Sequence, residues 1–193
     1  MKNYIQIGTN QGNDDFFNIV KNIKEKSNIF LIEPIKTLIP IIENNYNGLK
    51  EYHNIIILNN GIVTDKNINK IIIYQDSGDF ALSSIIERKS YQNAVDSVEF
   101  EPLTFQELCE TYNIKEIELL YIDAEGYDYT IINSIDLNQI NIRTLVCEKW
   151  DYDIDSSNFI RTDPIFFNET IIPKMKNYNL ELYNESNYKF SKI

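Results

Sequence analysis

A chain of 193 residues with a formal net charge of −11 is long enough for one domain with a sizeable core, and it is too acidic to grip nucleic acid, whose phosphates need a basic face. No apolar run approaches the ~18 residues of a membrane span, and the first residues are patterned as a strand rather than a leader, so a cytoplasmic protein is expected. Two cysteines, Cys109 and Cys147, make no disulfide framework in a chain this long and read as reduced core residues.

In chain order, Tyr4 to Ile7 is a short apolar strand, Gly8 to Gly12 a glycine-bracketed turn, and Asp14 to about Lys26 a helix presenting Phe16, Phe17, Val20 and Ile23 on one face. Ile29 to Glu33 is a continuous apolar run, as in a parallel strand covered on both sides, and Pro34 ends it. Lys36 to Tyr46 reads as the next helix, Asn54 to Leu58 as a third strand, and Asn59-Asn60-Gly61 as a turn. His53, the one histidine, is expected at the surface or an edge. Ile68 to Tyr74 reads as an extra strand, Asp76 to Ser97 as the least regular stretch, and Val98 to Glu101 as a returning strand. Thr104 caps a helix from Phe105 to Tyr112, with Glu107 completing a capping box. Leu119 to Asp123 is a strand, Asp128 to Ser134 a helix, and Thr144 to Glu148 a fifth strand. An acidic, aromatic loop from Trp150 to Asp163 leads to a helix from Pro164 to about Asn177, where Pro173 should force a kink or an early end. Leu180 to Tyr183 and Tyr188 to Phe190 close as a hairpin. This alternation predicts an α/β fold: a mostly parallel sheet with helices on both faces and an antiparallel edge. With no repeat or linker in sight, residues 1–193 are expected to form a single domain.

The turn after the first strand carries the functional signal. A strand feeding a glycine turn into a helix aims backbone N–H groups at a ligand. Glu33 ends the second strand 21 residues past Gly12, where a carboxylate accepts from two ribose hydroxyls. The turn is Gly8-x-x-x-Gly12 and has Asn10 where a dinucleotide fingerprint needs its middle glycine, which argues against a nucleotide- or NAD-binding oxidoreductase. The other strand ends carry Asp123, Glu125 and Glu148, a rim that repels pyrophosphate and suits a cationic ligand such as the sulfonium of S-adenosylmethionine. Oxygen-rich trios also suit magnesium or calcium, but acidic strand tips are common in such folds, and no metal is assigned. Other bland readings are that Glu125 caps the following helix and that Glu148 pairs with Lys149 or Arg143.

Four segments together resemble the FkbM family of S-adenosylmethionine-dependent methyltransferases: Gln6 to Gly12, Phe30 to Pro34, Leu120-Tyr121-Ile122-Asp123-Ala124-Glu125-Gly126, and Leu145 to Glu148. The resemblance implies the class I methyltransferase (Rossmann-like) sheet and methylation of a hydroxyl oxygen on a saccharide or another small molecule. It assigns the cofactor to Gln6, Gly8, Thr9, Asn10, Gly12, Glu33, Pro34, Asn60 and Asp123. Asp123, Glu125 and Glu148 then stand near the reacting centre as candidate catalytic carboxylates. The family usually has Asp or Glu where this chain has Gln6, which removes a charge from the expected partner of the cofactor's ammonium. A cofactor-binding protein without catalysis is therefore the second reading.

Overall fold

The computed structural model describes residues 1–74, 94–149 and 164–193. The expected loop from Trp150 to Asp163 and most of the irregular stretch from Asp76 lie outside them.

Five apolar runs become the parallel strands β1 (Asn3–Ile7), β2 (Asn28–Ile32), β3 (Asn54–Leu58), β8 (Glu116–Ile122) and β9 (Asn141–Glu148). Four shorter strands lie along the chain between them: β4 (Asn60–Ile62), β5 (Lys70–Tyr74), β6 (Ala94–Glu99) and β7 (Glu101–Leu103). The hairpin is β10 (Tyr178–Leu182) and β11 (Asn187–Lys192). The main sheet runs β10-β11-β9-β8-β1-β2-β3, with β11 antiparallel to β9 and β10 antiparallel to β11. The chain builds outward from β1 to β3 and then returns to the other flank of β1 as β8. The strand order therefore reverses between β1 and β8, and in open α/β sheets ligands bind beyond the strand ends at such a point.

Side chains alternate across each strand, and both faces are covered, which is why the runs are apolar throughout. One face packs Ile5, Ile7, Ile32, Leu120, Ile122 and Leu145 beneath α3 (Phe105–Thr111) and α4 (Asp128–Ser134). The other packs Tyr4, Leu31, Tyr121 and Val146 beneath α1 (Asp15–Val20) and α2 (Ile39–Asn45). At the end of the sheet away from the strand tips, Asn3, Asn28 and Asn54 stand in register and form an amide ladder at 2.9 Å per step.

Several boundaries differ from the sequence expectation. The helix expected to reach Lys26 stops at Val20, because Asn22 Nδ2 takes the Asn18 carbonyl at 2.7 Å and the backbone tightens to i→i−3 bonds. Asn60-Gly61 is a short strand rather than a turn: β4 pairs with β7, and Gly61 leaves room for the Phe100 ring, which would lie 2.3 Å from a Cβ there. β5 pairs with β6 in a ladder of its own. His53 is buried, 3 % exposed, against Tyr52, and its pKa is lowered by that burial. The Thr104–Glu107 capping box is present. The last helical segment, α5, starts at Pro164, passes through a π turn at Phe167–Ile171 and ends at Lys174, just after Pro173, which has no N–H to continue the ladder. Both cysteines are buried thiols. Among the described residues no helix is long and apolar enough to cross a membrane.

Candidate active site

Beyond the strand tips lies a pocket of about 650 Å³, open to solvent, whose polar lining includes Asn10, Glu33, Asn60, Asp123 and Glu125. Its floor is the first turn. Gly8 takes φ +79°, a conformation glycine adopts freely, and its N–H donates to Ile32 O at 3.0 Å. A Cβ on Gly8 would stand 1.8 Å from the Asp123 carbonyl oxygen, so only glycine lets the ends of β1 and β8 close together. Gly8→Ala is therefore expected to cost at least about 2 kcal/mol, combining overpacking with a strained φ. The midpoint of urea unfolding measures it, and an unchanged midpoint would mean that the two strand ends part freely.

Glu33 is 4 % exposed at the end of β2. Its Oε2 accepts from Asn10 N at 2.7 Å and its Oε1 from Ile35 N at 2.9 Å. Each carboxylate oxygen keeps a lone pair for a further donor. Burial pushes the Glu33 carboxyl up to about 7, and the two amides only partly offset this. Asn59, which sequence reasoning passed over, braces this loop: its Nδ2 donates to the carbonyls of Glu33 and Pro34 at 2.9 Å each. Asn10 sits at φ +49°, and its side-chain oxygen is buried in the pocket lining with no hydrogen-bond partner among the described residues.

Across the pocket, Asp123 follows β8, its N–H donating to Ile7 O at 2.9 Å. The carboxylates of Asp123, Glu125 and Glu148 converge, each offering an oxygen within 4.8 Å of the others. Burial first, and then the neighbouring Asp128, Glu125, Asp14 and Glu33, hold the Asp123 carboxyl well above the usual carboxylate range. Two of the bland readings for this trio are answered by the geometry. The cap position of α4 is Tyr127 rather than Glu125, and Arg143 bridges Glu118 at 3.1 Å. A fourth acid that the sequence reading left as a helix start, Asp128, is fully buried beside them.

Three expected cofactor residues lie under the turn rather than in the pocket lining. Thr9 is buried, its hydroxyl donating to Ile32 O at 3.3 Å. Gly12 makes room for the Tyr46 ring, 3.0 Å from where a Cβ would sit. Gln6 shares the parity of Tyr4, faces α1, and donates from Nε2 to Asp14 Oδ2 at 2.5 Å. Asp14 also caps α1 by accepting from Phe17 N. Gln6→Glu thus sets two buried carboxylates side by side and is expected to cost roughly 1–3 kcal/mol. The new carboxyl's folded pKa lies above its unfolded value, so the loss grows as pH rises past about 4.3. Thermal unfolding at pH 5 and pH 8 tests this; equal stability of wild type and variant at pH 8 would show that the site tolerates both charges.

A glycine-floored pocket at the switch point of a seven-stranded sheet, closed by an antiparallel hairpin, defines a class I methyltransferase architecture. The chain belongs to the FkbM methyltransferase family, whose domain model matches residues 6–179. It is an S-adenosylmethionine-dependent methyltransferase, and membership sets aside the oxidoreductase reading. Among curated proteins none matches this sequence. Solved structures similar to it include an S-adenosylmethionine-dependent methyltransferase of Aquifex aeolicus, 9 % identical over 99 % of this chain and 81 % of that one, with a TM-score of 0.45. Another is fibrillarin of Aeropyrum pernix with natively bound S-adenosyl-L-methionine, 10 % identical over 100 % of this chain and 66 % of that one, also with a TM-score of 0.45.

The pocket fits the cofactor on its own terms. Glu33 has acceptor capacity for two ribose hydroxyls, and the unpartnered Asn10 oxygen suits an ammonium or hydroxyl donor. Ile35, Leu38, Ile62 and Ile71 offer an apolar wall for a flat base. Asp123 and Glu125 put acidic groups in the same lining, which suits a cationic ligand.

Proposed function

We propose that this protein methylates a hydroxyl oxygen, with a saccharide as the acceptor class. The observation that carries the reading is that Asp123 and Glu125 line the pocket together with Glu33, and that the Glu148 carboxylate converges on those two from beside the lining. S-adenosylmethionine, when bound, supplies an already activated methyl group on a sulfonium. The chain's own contribution is alignment, which can be worth about 7–11 kcal/mol where reacting groups are held in register. Glu33 and Asn10 hold the cofactor end, and Gly8 lets it approach the backbone. Asp123 receives the acceptor's hydroxyl proton; a carboxylate whose pKa lies above the ordinary range is a stronger base than a free one, and such a base adds roughly 10²–10⁴-fold. Glu125 and Glu148 accept from neighbouring hydroxyls of a polyol, for which two carboxylates beside a base are suitable acceptors.

The test is transfer of a labelled methyl group to a panel of mono- and oligosaccharides, alongside amine, thiol and nucleobase acceptors. Label on sugar hydroxyls supports the reading. Label on nitrogen or sulfur acceptors alone would overturn it, and bound cofactor without turnover over the whole panel would favour the non-catalytic alternative.

A further inference from the structure

Asp128 is fully buried, yet its charge is not needed to cap α4, whose cap residue is Tyr127. Its two oxygens go elsewhere. Oδ2 accepts from Gly126 N at 3.1 Å, and Oδ1 accepts from Glu148 N at 3.3 Å. One side chain thereby grips two elements, the turn beyond β8 and the last residue of β9. Glu125 stands on the first and Glu148 ends the second. The turn is also unusual in itself: Glu125 at φ +48° and Gly126 at φ +92° are successive left-handed residues. A non-glycine residue holds that conformation only where its surroundings over-determine it, and the Asp128 bond to the next amide is such a constraint. Tyr127 N, bonded to Ala124 O at 3.1 Å, closes the same turn from the other side.

We propose that Asp128 is a positioning residue: by clamping the Gly126 and Glu148 amides together it sets where Glu125 and Glu148 stand beside Asp123. Its consequence for chemistry rests on the methyl-transfer reading above; the clamp itself does not. The charged group that faces it is Asp123, on the turn after β8, and what it holds on β9 is the Glu148 backbone amide. Removing the clamp frees the turn to leave its left-handed path, and Glu125 and Glu148 then lose their common register.

S-adenosylmethionine and S-adenosylhomocysteine differ by a methyl group and a positive charge, so the ratio of their affinities reads the placement of these carboxylates. A general loosening of the fold moves both affinities alike. Asp128→Asn and Asp128→Glu are each expected to lower that ratio by roughly threefold or more, with S-adenosylhomocysteine affinity nearly unchanged. An unchanged ratio in both variants overturns the proposal. So does a ratio restored by Asp128→Glu, which keeps the charge but displaces the carboxylate. Should the variants fail to fold, the wild-type protein decides the matter by NMR. Burial pushes the Asp128 carboxyl up to about 7, so the amide protons of Gly126 and Glu148 are expected to titrate together there. Two different midpoints, or a shift of one amide without the other, refute the clamp. If the wild-type protein binds neither ligand, the methyltransferase reading fails, and the NMR result still judges the clamp alone.

Discussion

Asp123→Asn is expected to keep cofactor affinity within a few-fold and to cut turnover by roughly 10²-fold or more on any acceptor the wild-type protein methylates. Asparagine preserves the shape and the hydrogen-bonding reach of the side chain but cannot take a proton. The backbone around position 123 does not depend on the carboxylate. The N–H bond to Ile7 and the close approach of its carbonyl to Gly8 are main-chain features. Removing one charge from a site shared with Asp128 and Glu125 relieves repulsion, so the fold should hold or gain stability. The pH profile adds a second readout. A base acts in its ionised form, so wild-type turnover should rise with pH along a limb lying above the ordinary carboxylate range, and this limb should vanish in the variant. Equal losses of affinity and turnover would assign Asp123 to cofactor binding instead. Near-wild-type turnover would pass the role of base to Glu125 or Glu148.

Replacing Glu33 has the next largest effect. Two charge-assisted bonds to ribose hydroxyls, each worth about 1.5–3 kcal/mol, imply at least a tenfold loss of S-adenosylmethionine affinity in Glu33→Ala. Alanine also strips the acceptors from the Asn10 and Ile35 amides, an unsatisfied pair costing roughly 1–3 kcal/mol each where buried. Glu33→Gln separates the two effects, because it keeps the shape and one acceptor while discarding the charge. The pH dependence has a definite sign. The folded carboxyl lies at about 7 against an ordinary value of 4.5, so the folded state binds more protons between those values. Stability without cofactor therefore falls as pH rises from 4.5 to 7 and levels off above it. The cofactor's hydroxyls favour the ionised form, so affinity should rise from pH 6 to 8 in the wild type and stay flatter in Glu33→Gln. Calorimetry settles both points; equal affinity in wild type and Glu33→Ala, or binding of NADH in place of S-adenosylmethionine, would refute the assignment.

The parts of this protein legible in its sequence are those governed by local rules. Apolar runs such as Phe30-Leu31-Ile32 announce strands because both faces of a parallel sheet are dry, and Thr104 with Glu107 announces a helix start because a capping box closes within four residues. The spacing from Gly12 to Glu33 is legible for the same reason, since one helix and one strand fill the interval. The resemblance to the FkbM family lies likewise in short local segments, the strand ends and turns from Gln6 to Gly12, Phe30 to Pro34, Leu120 to Gly126 and Leu145 to Glu148. What only the tertiary structure decided depends on which distant residue arrives next to which. Gln6 was expected to face a cofactor's ammonium, but strand parity turns it toward α1, where Asp14 meets it. Gly12 answers to the Tyr46 ring, which α2 brings from 34 residues away. Asp128 reads locally as an ordinary acidic residue in a helix's first turn; its buried grip on Glu148 exists because β9 packs alongside β8. Periodicity and capping act over a few bonds and leave marks in sequence, whereas burial and charge coupling are properties of the assembled sheet.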